Sequence, residues 1–434
     1  MELNLDNYAL DDNNLNFSVT GATSDEGKAS ILTYKEMNVT RYLNSIFLDA
    51  IRRKVSDIHF EPYADLFRIR FRIDGIMQHI DATPKSFGHL LMTRLKVIAG
   101  LDISEQRMSQ SGRFKLQLSE TDALDFRCSL TPTMHGETCV LRLLYLSEGM
   151  LELSQLGLST AQIIPIKTAL ARQQGMILVT GPTGSGKTVT LYTLIKFLSK
   201  QARNIYTVED PIEIDLNGVN QINIAERLSF ADASRSLLRQ DPDVIMLGEM
   251  RDEETIDTAI KAAHTGHLVL ATLHANTAPK VLPRLRNLGV SAYDISSTVS
   301  LVISQRLLRK LDPDNRETIT VPQARLLALG FKEDELKDLQ LYRARPGSNL
   351  NESTGYKGRI GIFQIMPIDI SLAEIIAKGA TDAEISQYIE TQGAEDLRRS
   401  ALDKVKAGVT DIDEVERVLG VLEIDDALLG EAGE

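Results

Sequence analysis

The stretch MILVTGPTGSGKTVTLYTLIKFLSK, residues 176–200, joins an apolar, strand-like run to a helical run through a glycine-rich turn. The turn, GPTGSGKT at 181–188, fits the pattern G-x4-G-K-[ST]. Its glycines allow backbone N–H groups to curl around phosphate oxygens, and the helix that follows adds partial positive charge at its N-terminus. An ordinary glycine turn with a surface lysine is the weaker interpretation in this context. We therefore predict a nucleotide-binding loop formed by Gly181, Pro182, Thr183, Gly184, Ser185, Gly186, Lys187, Thr188 and Val189.

Hydrolysis requires more than a phosphate-binding loop. Lys187 is expected to bridge the β- and γ-phosphates, and Thr188 to bind Mg²⁺ through its hydroxyl. Two further apolar runs, NIYTVED and DVIMLGE, end in Glu209 and Glu249, which are expected to face the loop because ligands of open α/β sheets collect at the carboxyl ends of strands. We predict that Glu249 positions or deprotonates the attacking water and that Glu209 acts through the magnesium shell or on the same water. The two roles could be exchanged, and the alternative for each residue is an ordinary solvated acid.

Three of the seven histidines lie within AAHTGHLVLATLHANTA, residues 262–278. The run between His267 and His274 is apolar and β-prone, which predicts a buried strand with a histidine at each end. At about 3.3 Å per residue the two imidazoles lie roughly 23 Å apart, so one ion cannot bind both. His274, at the carboxyl end, is predicted to sense the γ-phosphate. His267 is expected to be structural or at a subunit contact, and His264 to stabilise a helix C-terminus, with sensing as the alternative for both.

The composition is that of a globular protein with more than one domain. The chain has 434 residues, of which 43% are hydrophobic and 25% charged. A formal net charge of −12 argues against nucleic acid as the main partner. No apolar run reaches the roughly 18 residues of a membrane span, and the acidic start of the chain does not resemble a signal peptide. We expect a cytoplasmic protein in which Cys128 and Cys139 are buried thiols of a reducing compartment.

Changes of pattern divide the chain into segments. Residues 1–35 are rich in Asn, Asp, Ser and Thr and are expected to form a flexible tail or a docking segment. An amphipathic helix and alternating strands follow at 36–145, which predicts a small α/β domain, and the alternation stops at the candidate hinge, 146–158. At 159–310 strands alternate with helices, which predicts a parallel sheet covered by helices. Residues 311–434 are expected to be mostly helical.

A predicted hairpin places two arginines together. The stretches GRFKLQLS and ALDFRCSL, at 112–119 and 123–130, each have an apolar and a polar face. Matching their apolar faces requires a connecting loop with an odd number of residues. That register puts Arg113 and Arg127 on one polar face.

Several motifs occur in a characteristic order. After VTGPTGSGKT come TVEDPIE, LGEMRDEET and TGHLVLATLHANTA; upstream are SDIHFEPY, FRIDG, LDISEQRMSQSGRF and HGETCVLRLL, and downstream are ISQRLLRKL and STGYKGRIGIFQIM. In this order they resemble the Walker A motif, acidic box, Walker B motif and histidine box of the type II secretion and type IV pilus assembly ATPases, with their flanking sequences. The resemblance covers roughly residues 38–420 and is far more specific than a phosphate-binding loop alone.

The resemblance implies a fold and an assembly. Members of this family are hexameric rings of RecA-like P-loop NTPase domains, each preceded by a mobile α/β domain. Here that implies a RecA-like domain with a smaller, PAS-like α/β domain before it and a mostly helical C-terminal region after it. It also implies that arginines of the N-terminal domain reach the bound phosphates, and the matching positions are Arg113, Arg127 and Arg142. Solvated strand arginines are the alternative.

The sequence departs from the family in three places. Assembly members usually carry a tetracysteine zinc site, and the aligned positions here are Asp312, Asn315, Ser348 and Asn351. One carboxylate, two amides and a hydroxyl cannot hold zinc tetrahedrally, so we expect no zinc. The N-terminal region is short, so docking is expected to use a peptide or the N-terminal domain itself. Ser111 stands where relatives commonly have Asp.

The resemblance implies a hexameric, Mg²⁺-dependent ATPase that powers type IV pilus assembly or type II secretion. Its partners would be an inner-membrane platform protein and a cytoplasmic docking protein, through which it would associate peripherally with the inner membrane. A pilus retraction motor is an alternative, although SDIHFEPYADLFRIRFRIDG resembles the assembly branch better. A non-hydrolysing, nucleotide-gated scaffold is disfavoured by the intact Lys187, Glu209 and Glu249. A nucleic-acid translocase is disfavoured by the net charge.

Overall fold

The computed structural model describes residues 16–19, 34–118, 123–145, 152–224, 228–337, 339–345, 347 and 354–421. Residues 146–151 of the predicted hinge, most of the predicted tail, and Ser348 and Asn351 lie outside the described residues. The chain divides into two compact units, Met1–Ser147 and Glu148–Glu434. Within the described ranges, every helix is too short or too polar to cross a lipid bilayer.

The first unit is built on an antiparallel sheet. Its described strands follow the order β1-β5-β6-β7-β2-β3-β4. Helices α1 and α2 pack their apolar sides on one face of this sheet, and the shared core contains Phe47, Leu95 and Phe114. The elements are β1 (Asn16–Val19), α1 (Tyr34–Arg52), β2 (Asp57–Pro62), β3 (Leu66–Ile73), β4 (Ile76–Pro84), α2 (Lys85–Ile98), β5 (Gln110–Gln117), β6 (Ala123–Thr133) and β7 (Gly136–Leu144).

The register of strands β5 and β6 is the one that the sequence predicts. Phe114 pairs with Phe126, and their buried rings stack with centroids 4.9 Å apart. The neighbouring pair, Arg113 with Arg127, therefore lies on the opposite face of the sheet. The predicted common polar face is confirmed. Two adjacent strands of this unit also carry the buried thiols of Cys128 and Cys139, as predicted, with 3.5 Å between their sulfur atoms.

The second unit contains a mainly parallel sheet. Its described strands follow the order β10-β9-β11-β12-β8-β13-β16, and the last strand is antiparallel to its neighbour. This arrangement, with helices packed on the strands, confirms the predicted α/β class. The elements are α3 (Thr160–Leu170), β8 (Gly175–Thr180), α4 (Lys187–Ser199), β9 (Ile205–Glu209), β10 (Asn220–Asn223), α5 (Phe230–Leu237), β11 (Val244–Leu247), α6 (Glu253–His264), β12 (Leu268–Leu273), α7 (Val281–Asn287), α8 (Ala292–Thr298), β13 (Val299–Leu311), β14 (Arg316–Ile319), α9 (Gln323–Ala328), β15 (Leu341–Ala344), β16 (Tyr356–Pro367), α10 (Ile370–Ala377), α11 (Asp382–Thr391), α12 (Leu397–Lys406) and α13 (Ile412–Leu419).

The burial of the strands agrees with their order in the sheet. Every residue of β8, β11 and β12 is buried, as expected for central strands that are covered on both faces. The C-terminal region is helical from α10 to α13, but it also adds the long strand β16 to the edge of the sheet. The sequence patterns did not predict that strand or strand β13, which lies between β16 and β8.

A buried carboxylate attaches the C-terminal helices to β13. The Glu414 side chain is fully buried and accepts hydrogen bonds from the backbone N–H of Arg309 at 2.9 Å, from its guanidinium at 2.7 Å, and from Arg417 at 2.6 Å. Burial raises the pKa of Glu414, but the bonds from Arg417 and Arg309 outweigh it and hold the pKa below its usual range. Asp312 and Asn315, two of the positions aligned with the family's zinc site, lie in the same region. The Asn315 side chain donates a hydrogen bond of 2.8 Å to the Asp312 carboxylate. Hydrogen bonds hold these side chains together there.

Candidate nucleotide-binding and catalytic site

The phosphate-binding loop lies between the end of β8 at Thr180 and the start of α4 at Lys187. Gly184 and Gly186 have φ angles of 77° and 88°, in the left-handed region that favours glycine. A Cβ atom on Gly181 would lie 2.5 Å from the Ser185 hydroxyl and 2.6 Å from the backbone oxygen of Gln305. The loop therefore depends on its glycines for both its turn and its close approach to neighbouring groups.

The loop has the features of an anion cradle. Gly186 caps helix α4 without a side-chain hydrogen bond, so the first turn of the helix offers N–H groups to an external acceptor. The Ser185 hydroxyl is buried and has no hydrogen-bond partner among the described residues. Thr188, the predicted magnesium ligand, is exposed on the first turn of α4. These residues fit the phosphates and the metal that the sequence predicts.

Lys187 bonds to its own loop. Its Nζ donates to the backbone oxygens of Gly181 at 2.9 Å and Pro182 at 3.1 Å. The pKa of Lys187 lies below its ordinary value, mainly because of burial and also because of the charge of Arg306. The charge of Glu249 opposes this shift. A triphosphate bound here would exchange two carbonyl partners of the ammonium group for charged oxygens, which make stronger hydrogen bonds.

Glu209 is buried and held by side chains on three sides. Its oxygens accept hydrogen bonds from the Thr207 hydroxyl at 2.6 Å and from Gln221 at 3.0 Å, and a further short one from the Tyr192 hydroxyl. Tyr192 lies on α4, and its oxygen also accepts the backbone N–H of Glu213 at 2.9 Å. Burial, together with the charge of Glu209, raises the pKa of Tyr192, so the phenol stays a donor. Both oxygens of the Glu209 carboxylate thus accept hydrogen bonds, and its role at the metal or on the water stays a prediction.

Glu249 and His274 come together at the carboxyl ends of the adjacent strands β11 and β12. The distance from Glu249 Oε1 to His274 Nε2 is 3.1 Å, and Arg251 approaches the other carboxylate oxygen at 2.8 Å. The Glu249 side chain is 27% exposed and that of His274 is 50% exposed. The carboxylate is thus oriented by a cation and an imidazole while it remains open to water, as a general base requires.

The other two histidines of this stretch lie away from the loop edge. His267 lies at the amino end of β12, where its Nδ1 is 3.0 Å from the backbone oxygen of Ala262 in the last turn of α6. This contact is of the kind that a structural histidine makes, and the role of His267 stays a prediction. His264, also in the last turn of α6, lies with its Nε2 3.3 Å from a carboxylate oxygen of Asp294. Phosphate sensing by His274 stays a prediction.

The three candidate arginines form one row across the sheet of the first unit. Arg113 on β5 pairs with Arg127 on β6, which pairs with Arg142 on β7. The next residue of the row is Asp57 on β2, a buried carboxylate 2.9 Å from Arg142 Nε. The pairing places all three on one face, whereas sequence spacing alone brought two of them together. Their approach to phosphate stays a prediction.

A cavity of about 420 Å³ opens beside the phosphate-binding loop. Gly181 and Pro182 line one side, and His274, Lys280 and Arg284 contribute to the rest of its wall. The cavity leaves room for a phosphate group and water next to the imidazole of His274.

The sequence patterns did not predict the residues whose hydrogen bonds support the site. Tyr192 fixes Glu209, and Gln305 bonds to the loop through Ser185. Arg306 donates to the backbone oxygens of Gln305 and Asn276. A signal existed for two of them, since Gln305 and Arg306 lie in the family-like motif ISQRLLRKL. Nothing local distinguished Tyr192 from the other residues of its helix.

Comparisons with known proteins agree with this geometry. The family described as type II/IV secretion system protein matches residues 33–417. The type IV pilus assembly ATPase PilB of Acinetobacter baylyi is 46% identical over 385 residues, which are 88% of this chain and 66% of that protein. The type II secretion system ATPase E of Vibrio cholerae is 40% identical over 382 residues, which are 88% of this chain and 75% of that protein.

A solved structure has a similar fold. The structure of the pilus retraction motor PilT with bound ADP superimposes with a TM-score of 0.58 at 26% identity, over 89% of this chain and 97% of that one. The present chain spans a little under two thirds of the length of the Acinetobacter relative. The family match extends over both units, from the first helix to the last one described. The resemblance seen in the sequence is therefore confirmed, and the chain belongs to the type II/IV secretion system protein family.

Proposed function

We propose that the chain is a Mg²⁺-dependent ATPase that acts as a homo-hexamer and powers type IV pilus assembly or type II secretion. The observation that carries this proposal is the pair formed by Glu249 and His274 at the edge of the sheet where the phosphate-binding loop lies. The relatives named as a pilus assembly ATPase and a secretion ATPase support the coupling to these machines.

The residues of the loop would bind ATP before any chemistry occurs. The backbone N–H groups of Gly181 and of 183–189, which include the start of α4, would surround the β- and γ-phosphates, and Lys187 would exchange its carbonyl partners for phosphate oxygens. Thr188 would hold Mg²⁺, and the ion would supply positive charge that offsets the charge of the phosphates. Glu209, which Tyr192 fixes, would act through the magnesium shell or on the attacking water.

Glu249 would take the proton of the attacking water. Its carboxylate is partly exposed, and Arg251 and His274 hold its two oxygens. The proton would move to Glu249 as the water oxygen bonds to the γ-phosphorus, the bond from that phosphorus to the β–γ bridging oxygen would break, and ADP would leave. His274 would respond to the presence of the γ-phosphate.

The first unit would complete the site. In the proposed arrangement the domain 36–145 moves about the hinge 146–158 onto the RecA-like core 159–310 and brings Arg113, Arg127 and Arg142 to the phosphates. Arginines delivered in this way accelerate hydrolysis by about 10³- to 10⁵-fold in other NTPases. Release of phosphate reopens the domain, and the cycle of closure and opening supplies the movement.

The proposed partners are an inner-membrane platform protein and a cytoplasmic docking protein. The tail 1–35 and the N-terminal domain 36–145 are the candidates for those contacts, and the protein would lie at the cytoplasmic side of the inner membrane without a nucleic-acid partner. Retraction is the second candidate, supported by the fold shared with PilT. The higher identity to the assembly and secretion relatives, 46% and 40% against 26%, favours assembly.

Phosphate release by the purified protein tests this proposal. Glu249→Gln is expected to reduce turnover by about 10²- to 10⁴-fold, the usual contribution of a positioned base, and to leave ATP affinity nearly unchanged. The matched control is Glu317→Gln, which removes an exposed carboxylate paired with Arg343 at 2.6 Å in the same unit. Turnover of Glu249→Gln close to that of the wild type would show that the base is another residue. A wild type that binds ATP without releasing phosphate would support the scaffold, and stimulation by DNA would support the translocase.

A further inference from the structure

Gln305 is a buried polar side chain under the phosphate-binding loop. It lies on β13, is 1% exposed, and follows Ser304, which pairs with the last residue of β8. Strand β13 therefore continues beyond the end of β8 and passes directly beneath the loop that β8 enters. Buried amides are costly unless both of their polar ends are bonded, so the partners of Gln305 indicate what it does.

Both ends of the Gln305 amide bond to the loop and its helix. Nε2 donates to the backbone oxygen of Ser185 at 2.6 Å, and Oε1 accepts from the Thr190 hydroxyl at 2.7 Å. The orientation of the amide is fixed chemically because a backbone oxygen can only accept. One side chain thus joins the phosphate-binding loop to the first turn of α4.

The backbone around Gln305 makes further contacts with the same region. A Cβ atom on Gly181 would lie 2.6 Å from the backbone oxygen of Gln305. A Cβ atom on Gly186 would lie 3.0 Å from Nε2 of the Gln305 side chain. Arg306 donates to Gln305 O at 3.0 Å and to the backbone oxygen of Asn276 at 2.9 Å. Asn276 lies two residues after His274, so these two side chains connect the loop with the segment that leaves β12.

We propose that Gln305 is a positioning residue that holds loop 181–186 in its phosphate-receiving shape before the nucleotide arrives, and that Arg306 ties this shape to the segment after His274. A loop with positive φ at three glycines has many alternative shapes, and ordering it during binding would weaken affinity. The two bonds of the Gln305 amide remove that cost in advance. This inference rests on the proposed function, because it assumes that the loop binds a nucleotide.

Nucleotide affinity, measured beside thermal stability, tests the inference. Gln305→Met keeps the length and burial of the side chain but removes both bonds. The matched control is Gln162→Met, which removes another buried amide of the same unit, one that donates to the backbone oxygen of Phe363 at 3.1 Å and accepts from Ser159 at 3.0 Å. We expect Gln305→Met to weaken binding of both ADP and a non-hydrolysable ATP analogue about tenfold, as the loss of two ordinary hydrogen bonds implies. Gln162→Met should lower the Tm to a similar extent with unchanged affinities.

A double-mutant cycle tests whether Gln305 affects nucleotide affinity through its bond to Thr190. Thr190→Val removes the hydroxyl that bonds to Gln305. If Gln305 acts through this clamp, the loss of affinity in the double variant will be smaller than the sum of the two single losses. If Gln305→Met fails to fold, Thr190→Val alone gives the same test with a smaller expected loss.

Two outcomes would overturn the inference. Wild-type affinity in Gln305→Met together with a lowered Tm would show that Gln305 stabilises the fold and does not prepare the loop. Absence of nucleotide binding by the wild type would refute the proposed function and this inference with it. The two failures are distinguishable because the first requires normal binding by the wild type.

Discussion

Replacement of Tyr192 by phenylalanine should affect both stability and catalysis. The Tyr192 side chain is fully buried; its hydroxyl donates to Glu209 and accepts the backbone N–H of Glu213 at 2.9 Å. The variant leaves a buried carboxylate with one donor fewer and a backbone N–H without its acceptor. At about 1–3 kcal/mol for each such group, the expected loss is roughly 3 kcal/mol in the free energy of unfolding.

The effect on catalysis separates this prediction from simple destabilisation. Because Tyr192 fixes Glu209 and does not belong to the phosphate-binding loop, we expect a lower kcat with nearly unchanged ADP affinity. Chemical denaturation and phosphate release provide the two measurements. The control is Tyr388→Phe. The Tyr388 hydroxyl bonds to Asp369 at 3.0 Å on the exposed surface, so its removal should lower the free energy of unfolding by less than about 0.5 kcal/mol. Equal effects of the two substitutions on stability and on turnover would refute the role assigned to Tyr192.

Three further predictions concern separate parts of the chain. Gly181→Ala should abolish ATP binding in a folded protein, because the added Cβ meets the backbone oxygen of Gln305 at 2.6 Å; measurable ATP affinity by titration calorimetry would contradict this. The pKa of Glu414 lies below its usual range although burial raises it, since two arginines bond to the carboxylate. Its contribution to stability should therefore be complete above the unfolded pKa of about 4.3 and be lost as the pH falls through the folded value, so urea unfolding of wild type and Glu414→Gln should converge in acid. A difference that does not change with pH would contradict the assignment. Asp57→Asn should lower the free energy of unfolding by about 1 kcal/mol, because it weakens the bond to Arg142, whose side chain is more than half exposed. ADP affinity should not change. A thermal melt identical to that of the wild type would show that the ion pair contributes nothing to stability.

Local patterns predicted the edge of the sheet where the phosphate-binding loop, Glu249 and His274 lie. The apolar runs of β9, β11 and β12 are readable because parallel strands buried on both faces need no alternation. Glu209, Glu249 and His274 occur at or directly after the ends of these runs, and parallel strands bring such residues to one edge. The proximity of Glu249 and His274 is thus a consequence of sequence position and strand order together.

The residues that support the site could not be predicted because their partners are distant in sequence. Gln305 bonds to residues that precede it by 115 and 120 positions. The row of arginines shows the same limit: the hairpin that pairs Arg113 with Arg127 is local, whereas the neighbour of Arg142, Asp57, comes from a strand 85 positions away. Strand β16, at the far edge of the second sheet, also finds its partner across intervening elements. Pairings of this kind depend on the tertiary fold.

A structure of the Glu249→Gln variant with ATP and Mg²⁺ tests most directly whether loop 181–189 binds the phosphates and whether the arginines of the first unit reach them. In the structure, Lys187 bonds to the backbone oxygens of Gly181 and Pro182. We predict that phosphate oxygens replace both partners of Lys187 and that Arg113 and Arg127 lie within hydrogen-bond distance of the phosphates in at least one protomer. Lys187 still bonded to its own loop, or both arginines directed into solvent in every protomer, would contradict it.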